Sequence, residues 1–215
     1  MIAEIITADA AKWLEEQPEQ DSFITSLPDW DEVNMTFDDW LIWFEDRAAQ
    51  IMEKTKAEGY AIFYQTDRKI DGELVDKSYL LNKAAERAGA KTLWHKIALK
   101  KDPEKTDLHR PTFTHLLCFS KGRTSGKAFP DVFYAGKMLY PNAMGLDVCH
   151  RACNFLADAG IKKVTDSFCG RGSVLLIAAT YDLEATGIDI DPDQTRWARL
   201  ILRQNEIELK GGHEQ

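Results

Sequence analysis

A glycine turn and an acidic residue in the last quarter of the chain have the types and spacing of a nucleotide-binding site. The turn reads Asp-Ser-Phe-Cys-Gly-Arg-Gly-Ser over residues 166–173 and stands between an apolar strand pattern and an apolar helix pattern. Glycines let such a turn bring backbone N–H groups close to a ligand. Asp189 follows Gly172 by about seventeen residues, close to where a nucleotide-binding fold places its ribose-binding carboxylate.

A second candidate group, Ser26-Leu27-Pro28-Asp29-Trp30, follows a short strand pattern near the start of the chain. It offers a hydroxyl, a carboxylate and an indole ring within five residues. The hydroxyl can donate or accept hydrogen bonds, and the carboxylate can accept them or act as a base. The indole can stack on a planar ring. The alternative is a turn with a capping acid and no catalytic role.

The elements that would position these residues follow an α/β order. The apolar pattern predicts strands over residues 4–7, 23–25, 60–64, 93–99, 114–120, 163–166 and 186–188. It predicts helices over residues 10–16, 38–56, 77–88, 144–157, 173–180 and 193–209. The stretch 122–140 has no clear periodicity and contains Gly, Ser and Pro, which indicates a loop or lid beside a site.

The glycine turn resembles the DPFxGxGT cofactor loop of amino-group methyltransferases that use S-adenosylmethionine (SAM). In that family the loop holds the methionine part of SAM, and the acid of the next strand binds the ribose. The resemblance implies cofactor-binding roles for Asp166, Phe168, Gly170, Gly172, Ser173 and Asp189. Ser167 stands where the family often has proline, which changes the stiffness of the turn more than its chemistry. By a weaker match, Tyr140, Asn142 and Met144 would touch the methionine end.

The first thirty residues are similar to the family's strand–"GDA"–helix–"DxIxxDPPY" segment. The resemblance places Asp9 at the adenine end of SAM and implies catalytic roles for Ser26, Pro28, Asp29 and Trp30. Leu27 replaces the first proline, and Asp29 occupies the place of the aromatic residue.

Three hypotheses on this segment stay open. In the first, Ser26 and the Leu27 carbonyl hold an exocyclic amine while Trp30 stacks on the base. In the second, Asp29 acts as a base toward a ring nitrogen, a hydroxyl or a small molecule. In the third, the protein binds SAM without transferring methyl groups and supports another protein.

The order of the two candidate groups implies the circularly permuted arrangement found among DNA amino-methyltransferases, because the catalytic strand precedes the glycine loop. The expected fold class is a Rossmann-like α/β fold with a seven-stranded, mostly parallel sheet and helices on both faces. A single domain over residues 1–215 is expected. It would comprise a catalytic half (1–90), antiparallel strands with basic loops (91–140) and a SAM-binding half (141–215).

The formal net charge of −8 argues against a protein that coats nucleic acid by bulk attraction. The distribution is uneven, since residues 1–50 hold thirteen acidic and two basic residues whereas residues 91–127 hold three and nine. A phosphate-bearing substrate would therefore meet the middle of the chain. The predicted substrate-binding residues are Lys96, Lys100, Lys101 and Lys105. A solvated face is the alternative.

The expected substrate is a nucleic acid, either RNA or DNA. The chain lacks room for a separate target-recognition domain, which favours a structured RNA or a substrate brought by a partner protein. No signal peptide or membrane-spanning stretch is visible, so a cytoplasmic location is expected. The four cysteines lack a CxxC pair, and Cys149, His150 and Cys153 are interpreted as a buried helix face without a metal.

Overall fold

The computed structural model describes residues 2–108, 110–126 and 128–210. The strands are β1 (Ile2–Thr7), β2 (Phe23–Thr25), β3 (Ala61–Gln65), β4 (Arg68–Ile70), β5 (Glu73–Val75), β6 (Lys91–Leu99), β7 (Phe113–Ser120), β8 (Val132–Tyr134), β9 (Lys163–Asp166), β10 (Glu184–Asp189) and β11 (Glu208–Leu209). The helices are α1 (Ala10–Glu16), α2 (Phe37–Glu53), α3 (Lys77–Arg87), α4 (Leu146–Asp158), α5 (Ser173–Ala179) and α6 (Pro192–Gln204).

Nine of the described strands form one sheet in the order β11-β1-β10-β9-β2-β3-β7-β6-β8. Strand β7 runs antiparallel to both of its neighbours, and the other pairings are parallel. Strands from the segments 1–90, 91–140 and 141–215 all take part. The seven predicted strands are present, and the count of seven is corrected to nine by β8 and β11. Strand β8 lies in the stretch 122–140 that was predicted as a loop, and β11 lies at the end of the last predicted helix, 193–209, which the structure ends at Gln204.

A small hairpin of β4 and β5 stands apart from the main sheet, between β3 and α3. Its turn residues Asp71 and Gly72 have φ angles of 51° and 87°. Two consecutive positive φ angles are typical of the tight hairpin turn that an Asp-Gly pair favours. The sequence analysis overlooked this signal, and the hairpin carries Arg68 to the edge of the sheet where the candidate site lies.

Helices cover both faces of the sheet, as predicted. Helices α4, α5 and α6 contribute buried side chains to one core, and α1, α2 and α3 contribute to the other. Strand β3 serves both cores because its side chains alternate: Ile62 and Tyr64 face the first core, whereas Ala61 and Phe63 face the second. Among the described helices, none is long and apolar enough to cross a membrane.

The four cysteines are buried. Cys149 and Cys153 lie on the inner face of α4, which agrees with their interpretation as a buried helix face. Burial raises the pKa of all four thiols, so the neutral thiol is their stable form.

Candidate active site

The carboxyl ends of β1, β10, β9 and β2 meet at one edge of the sheet, where a cavity of about 810 Å³ opens. Open parallel sheets bind ligands at this edge, and the volume suits a small molecule. Six predicted cofactor-binding residues line the cavity, namely Asp9, Asp166, Phe168, Gly170, Ser173 and Asp189. The predicted catalytic residues Ser26 and Pro28 line it too. The structure thus brings the two halves of the predicted site into one space.

The glycine turn connects the end of β9 to the end of β10. Gly170 has a φ of 51°, and its backbone N–H donates to Asp189 Oδ2 at 2.8 Å. Gly172 does not line the cavity. It adopts a φ of 82° at the start of α5, and a Cβ added there would lie 3.3 Å from the Ala198 Cβ on α6. Gly172 therefore serves the close packing of two helices rather than contact with a ligand.

Asp189 is fixed at the cavity wall by two backbone N–H groups. Its Oδ2 accepts from Gly170, and its Oδ1 accepts from the Asp191 N–H at 2.9 Å. Burial raises the pKa of this carboxyl above its usual value. A carboxylate has about four acceptor sites, so two remain for ligand hydroxyl groups.

Asp166 lies deeper, at the end of β9. Its Oδ1 accepts from the Thr25 hydroxyl at 2.8 Å and from the Phe168 N–H at 3.2 Å. Because both hydrogen bonds go to Oδ1, Oδ2 can face a ligand in the cavity. Burial raises the pKa of Asp166 to about 7. A cation bound beside it would favour the ionised form.

The cavity wall is acidic. Five carboxyl groups line it, from Asp9, Glu32, Asp166, Asp189 and Asp191, together with the two guanidinium groups of Arg47 and Arg171. The excess of carboxyl groups favours a ligand that carries positive charge.

Tyr140 packs against the glycine turn. Its hydroxyl accepts from the Arg171 N–H at 2.9 Å, and it lies only 2.8 Å from where a Cβ at position 170 would be. A side chain at Gly170 would therefore collide with Tyr140. Burial raises the pKa of Tyr140 to about 12, so the phenol stays neutral. Tyr140, Asn142 and Met144, the weaker sequence matches, all line the cavity.

The backbone of the segment Ser26–Trp30 is held by two side chains from other elements. Gln65, at the end of β3, is 1% exposed. With its amide oriented to satisfy both contacts, its oxygen accepts from the Leu27 N–H at 2.5 Å and its nitrogen donates to the Leu27 carbonyl at 3.3 Å. Trp40 Nε1 donates to the Pro28 carbonyl at 3.0 Å. These hydrogen bonds fix the orientation of the Leu27 peptide, which directly follows Ser26.

Asp29 faces away from the cavity into an ion-pair cluster. The residue is 6% exposed, its Oδ1 accepts from Lys77 Nζ, and its Oδ2 accepts from Arg68 at 2.7 Å. Arg110 lies 3.9 Å from the same Oδ2. Burial lowers the pKa of Lys77 because it disfavours the charged ammonium group, and Asp29 acts in the opposite direction. The charged form of Lys77 therefore depends on its ion pair with Asp29. The prediction that Asp29 is an acceptor or base for the substrate is corrected: cations occupy both of its oxygens.

Trp30 is part of the wall of the second core and does not line the cavity. Its ring packs edge-on against Phe37 and Trp40, with centroid distances of 5.5 and 5.6 Å. The Arg68 guanidinium lies over the ring, 4.5 Å from its centroid. These contacts occupy the indole, so the prediction that it stacks on a substrate base is corrected as well.

The four predicted substrate lysines do not form one surface. Lys96 is buried and donates to the Phe129 carbonyl at 2.8 Å and to Asp131 at 2.7 Å, so its ammonium group cannot meet a phosphate. Lys101 pairs with Asp107 at 2.8 Å, and Lys105 is exposed in the loop. Lys100 instead reaches Thr66 at the end of β3, next to the Asp29 cluster.

Solved structures share this architecture. TTHA0409 of Thermus thermophilus, assigned as a DNA modification methylase and solved with S-adenosyl-L-methionine, has a TM-score of 0.75 and 16% identity over 99% of this chain and 100% of its own. PvuII DNA methyltransferase, which is cytosine-N4-specific, has a TM-score of 0.73 and 14% identity over 92% and 85%. This chain has a methyltransferase fold. No protein-family model and no curated protein sequence matches it.

Within the methyltransferase fold, the elements follow the permuted order expected from the sequence. Strand β2, with Ser26–Trp30 behind it, precedes β9 and its glycine turn along the chain. The complex of M1.HpyAVI with SAM has the same fold, with a TM-score of 0.64 and 16% identity over 94% of this chain and 99% of its own.

One group of side chains in the described part of the methyltransferase fold has the spacing of a metal site: Asp67, Asp76 and His115, whose ligand atoms lie within 4.8 Å of one another. Each already has protein partners. Asp67 accepts from the Lys77 N–H at 2.9 Å and lies 2.8 Å from His115 Nε2. Asp76 caps α3. These hydrogen bonds explain why the three side chains lie close together without a bound ion.

Sequence reasoning missed Gln65 and Lys77 as residues of the site. Gln65 follows a predicted strand directly, and a polar residue at the carboxyl end of a central strand is the signal that could have found it. Lys77 begins an alanine-rich helix and shows no sign of burial in the sequence. Its role depends on Asp29, 48 residues away in the chain.

Proposed function

We propose that this chain is a SAM-dependent methyltransferase that acts on an exocyclic amine of a nucleobase, as one catalytic domain. The observation that carries the proposal is the shared cavity, in which the glycine turn and Asp189 lie with Ser26 and the Leu27 peptide. TTHA0409, solved with SAM, and PvuII methyltransferase, named for cytosine N4, support both the cofactor and the reacting group.

The cavity residues fit SAM. Asp189 would accept from the ribose hydroxyls, and Asp166 Oδ2 with the glycine turn would hold the methionine ammonium group. The acidic wall suits a sulfonium cation. Bound SAM provides an electrophilic methyl group.

The chain's own residues make the amine reactive. An exocyclic amine is a poor nucleophile because its lone pair is delocalised into the ring. Two acceptors, Ser26 Oγ and the Leu27 carbonyl, can draw the amine's protons toward them and so localise the lone pair on nitrogen. The hydrogen bond from Gln65 keeps the Leu27 carbonyl in one orientation, so the carbonyl does not need to reorient during the reaction.

The observed ion pairs disfavour the second hypothesis. Both oxygens of Asp29 are held in ion pairs with Lys77 and Arg68, so neither faces a substrate proton on a ring nitrogen or a hydroxyl. The third hypothesis, a SAM-binding subunit without activity, requires the same cavity. An activity measurement distinguishes it from the proposed enzyme.

DNA is the better-supported nucleic acid. Both TTHA0409, assigned as a DNA modification methylase, and PvuII methyltransferase are named for DNA. The preference for structured RNA, the partner protein and the cytoplasmic location stay predictions from the sequence.

The test is S-adenosylhomocysteine release by the purified chain with SAM and either unmethylated DNA or transcribed RNA. We expect release with DNA that depends on Ser26. SAM binding without release on either nucleic acid would contradict the enzymatic proposal and favour the partner subunit.

A further inference from the structure

We infer that Lys100 and Arg110 form a binding site for a phosphodiester group beside the segment Ser26–Trp30. The inference rests on the proposed nucleobase substrate and says where the strand that carries this base would lie. It also revises the predicted substrate surface, because only Lys100 of the four lysines belongs to this site.

The position of Lys100 follows from the strand order. Lys100 directly follows β6, and its Nζ donates to the Thr66 hydroxyl at 3.3 Å. Thr66 follows β3, which pairs in parallel with β2. Neighbouring strands lie about 4.8 Å apart. The ammonium group therefore lies at the carboxyl end of β3, the strand next to β2. A phosphate bound there and an amine at Ser26 would belong to the same or nearby nucleotides.

The surrounding charges favour an anion. Four cations, Lys77, Arg68, Arg110 and Lys100, meet at this edge, and Asp29 and Asp31 pair with the first three of them. Asp107 also lies near Lys100, but its side chain pairs with Lys101 at 2.8 Å. Both oxygens of Asp29 are taken by Lys77 and Arg68 at short range, and Arg110 lies at the longer distance of 3.9 Å. Lys100 has no carboxylate at ion-pair distance in the part of the chain that the structure describes.

The pKa of Lys100 supports the same conclusion. It is lowered to about 8, first by burial and then by the charge of Arg110; Asp107 has the next largest effect and raises it, and Lys101 and Lys77 lower it further. A phosphodiester between Lys100 and Arg110 would compensate these cations. Two side chains with several N–H donors can contact both of its free oxygens.

The test compares Lys100→Met and Arg110→Met with a matched control, Lys91→Met, an exposed lysine at the opposite end of β6. Binding of random-sequence single-stranded 12-mers, DNA and RNA, is measured by fluorescence anisotropy over a range of salt concentrations. Each site variant should weaken binding and lower the log–log salt slope by about 0.7, the contribution of one phosphate contact on a single strand. SAM affinity should stay unchanged. Site variants that behave like the Lys91 control would overturn the inference.

A pH series provides a second readout. The charge of a phosphodiester is constant between pH 7 and 9, whereas Lys100 loses its proton near pH 8 in the free protein. Wild-type affinity should therefore fall as pH rises through this range, and Lys100→Met should lack that step. An identical pH dependence in both proteins would contradict the assignment of Lys100.

The two proposals fail in different ways. If the wild type transfers methyl groups and both site variants bind oligonucleotides as the wild type does, the phosphate site is wrong and the proposed function stands. If oligonucleotide binding depends on Lys100 and Arg110 but no methyl group is transferred, the proposed function is wrong and the phosphate site stands. A wild type that binds no oligonucleotide overturns the phosphate site.

Discussion

Asp29→Asn removes a charge but hardly changes shape, and it should cost stability rather than chemistry. The variant leaves Lys77, whose side chain is 3% exposed, without its carboxylate partner. Removing one member of a buried pair typically costs about 3–5 kcal/mol. The protein can escape by releasing the Lys77 proton, which from an unfolded pKa of about 10.4 costs about 4 kcal/mol at pH 7.5. We therefore expect a loss of about 3–4 kcal/mol.

The sign of the pH dependence makes this expectation specific. Burial lowers the pKa of Lys77 in the folded state, so the folded variant disfavours the protonated lysine. The loss of unfolding free energy caused by Asp29→Asn should shrink as the pH rises toward the pKa of lysine in the unfolded chain, to about 1 kcal/mol at pH 9.5. Urea unfolding at pH 7.5 and 9.5 measures both values.

Two further variants serve as controls. Asp29→Asn combined with Lys77→Met should recover much of the lost stability, because no unpaired charge remains buried. Asp31→Asn removes an exposed partner of Arg68 and should cost about 1 kcal/mol or less. Wild-type stability of Asp29→Asn with a large loss of turnover per folded molecule would refute the counter-ion role and return Asp29 to the chemistry.

Three other variants test the site. Asp189→Ala should weaken SAM binding by about 1–3 kcal/mol in calorimetry, since it removes a charged acceptor, and equal affinity would contradict its ribose role. Gln65→Leu should lower kcat and leave the SAM dissociation constant unchanged, because the Leu27 carbonyl loses its support; an unchanged kcat would count against the clamp. Gly172→Ala should lower the unfolding free energy by about 1–2 kcal/mol, given its φ of 82°, and an unaltered melting temperature would show that the turn relaxes.

The predicted cofactor residues could be placed together from the sequence because their signals are local. A glycine turn between a strand and a helix, followed by an acid at the end of the next strand, fixes Gly170 and Asp189 relative to one another by backbone geometry alone. The seven predicted strands were visible for the same reason, since alternation and apolar runs are read within a few residues.

On the substrate side, the contacts of Asp29 and Trp30 do not agree with the roles predicted for them. The direction of Asp29 depends on Lys77 and on Arg68 of the hairpin, residues 48 and 39 positions away, and no local pattern reports such ion pairs. Other errors had a readable signal. Lys96 shares a strand face with Trp94 and Ala98, so the alternation along β6 indicates its burial.

The most direct test of the account is the identity of the methylated atom. The wild-type chain is incubated with DNA and SAM that carries a trideuterated methyl group, and the nucleosides are then analysed by mass spectrometry, with Ser26→Ala in parallel. The account predicts a deuterated methyl group on the exocyclic nitrogen of adenine or cytosine, and much less product with Ser26→Ala. A label on a ring nitrogen or oxygen, or equal product from both proteins, would contradict it.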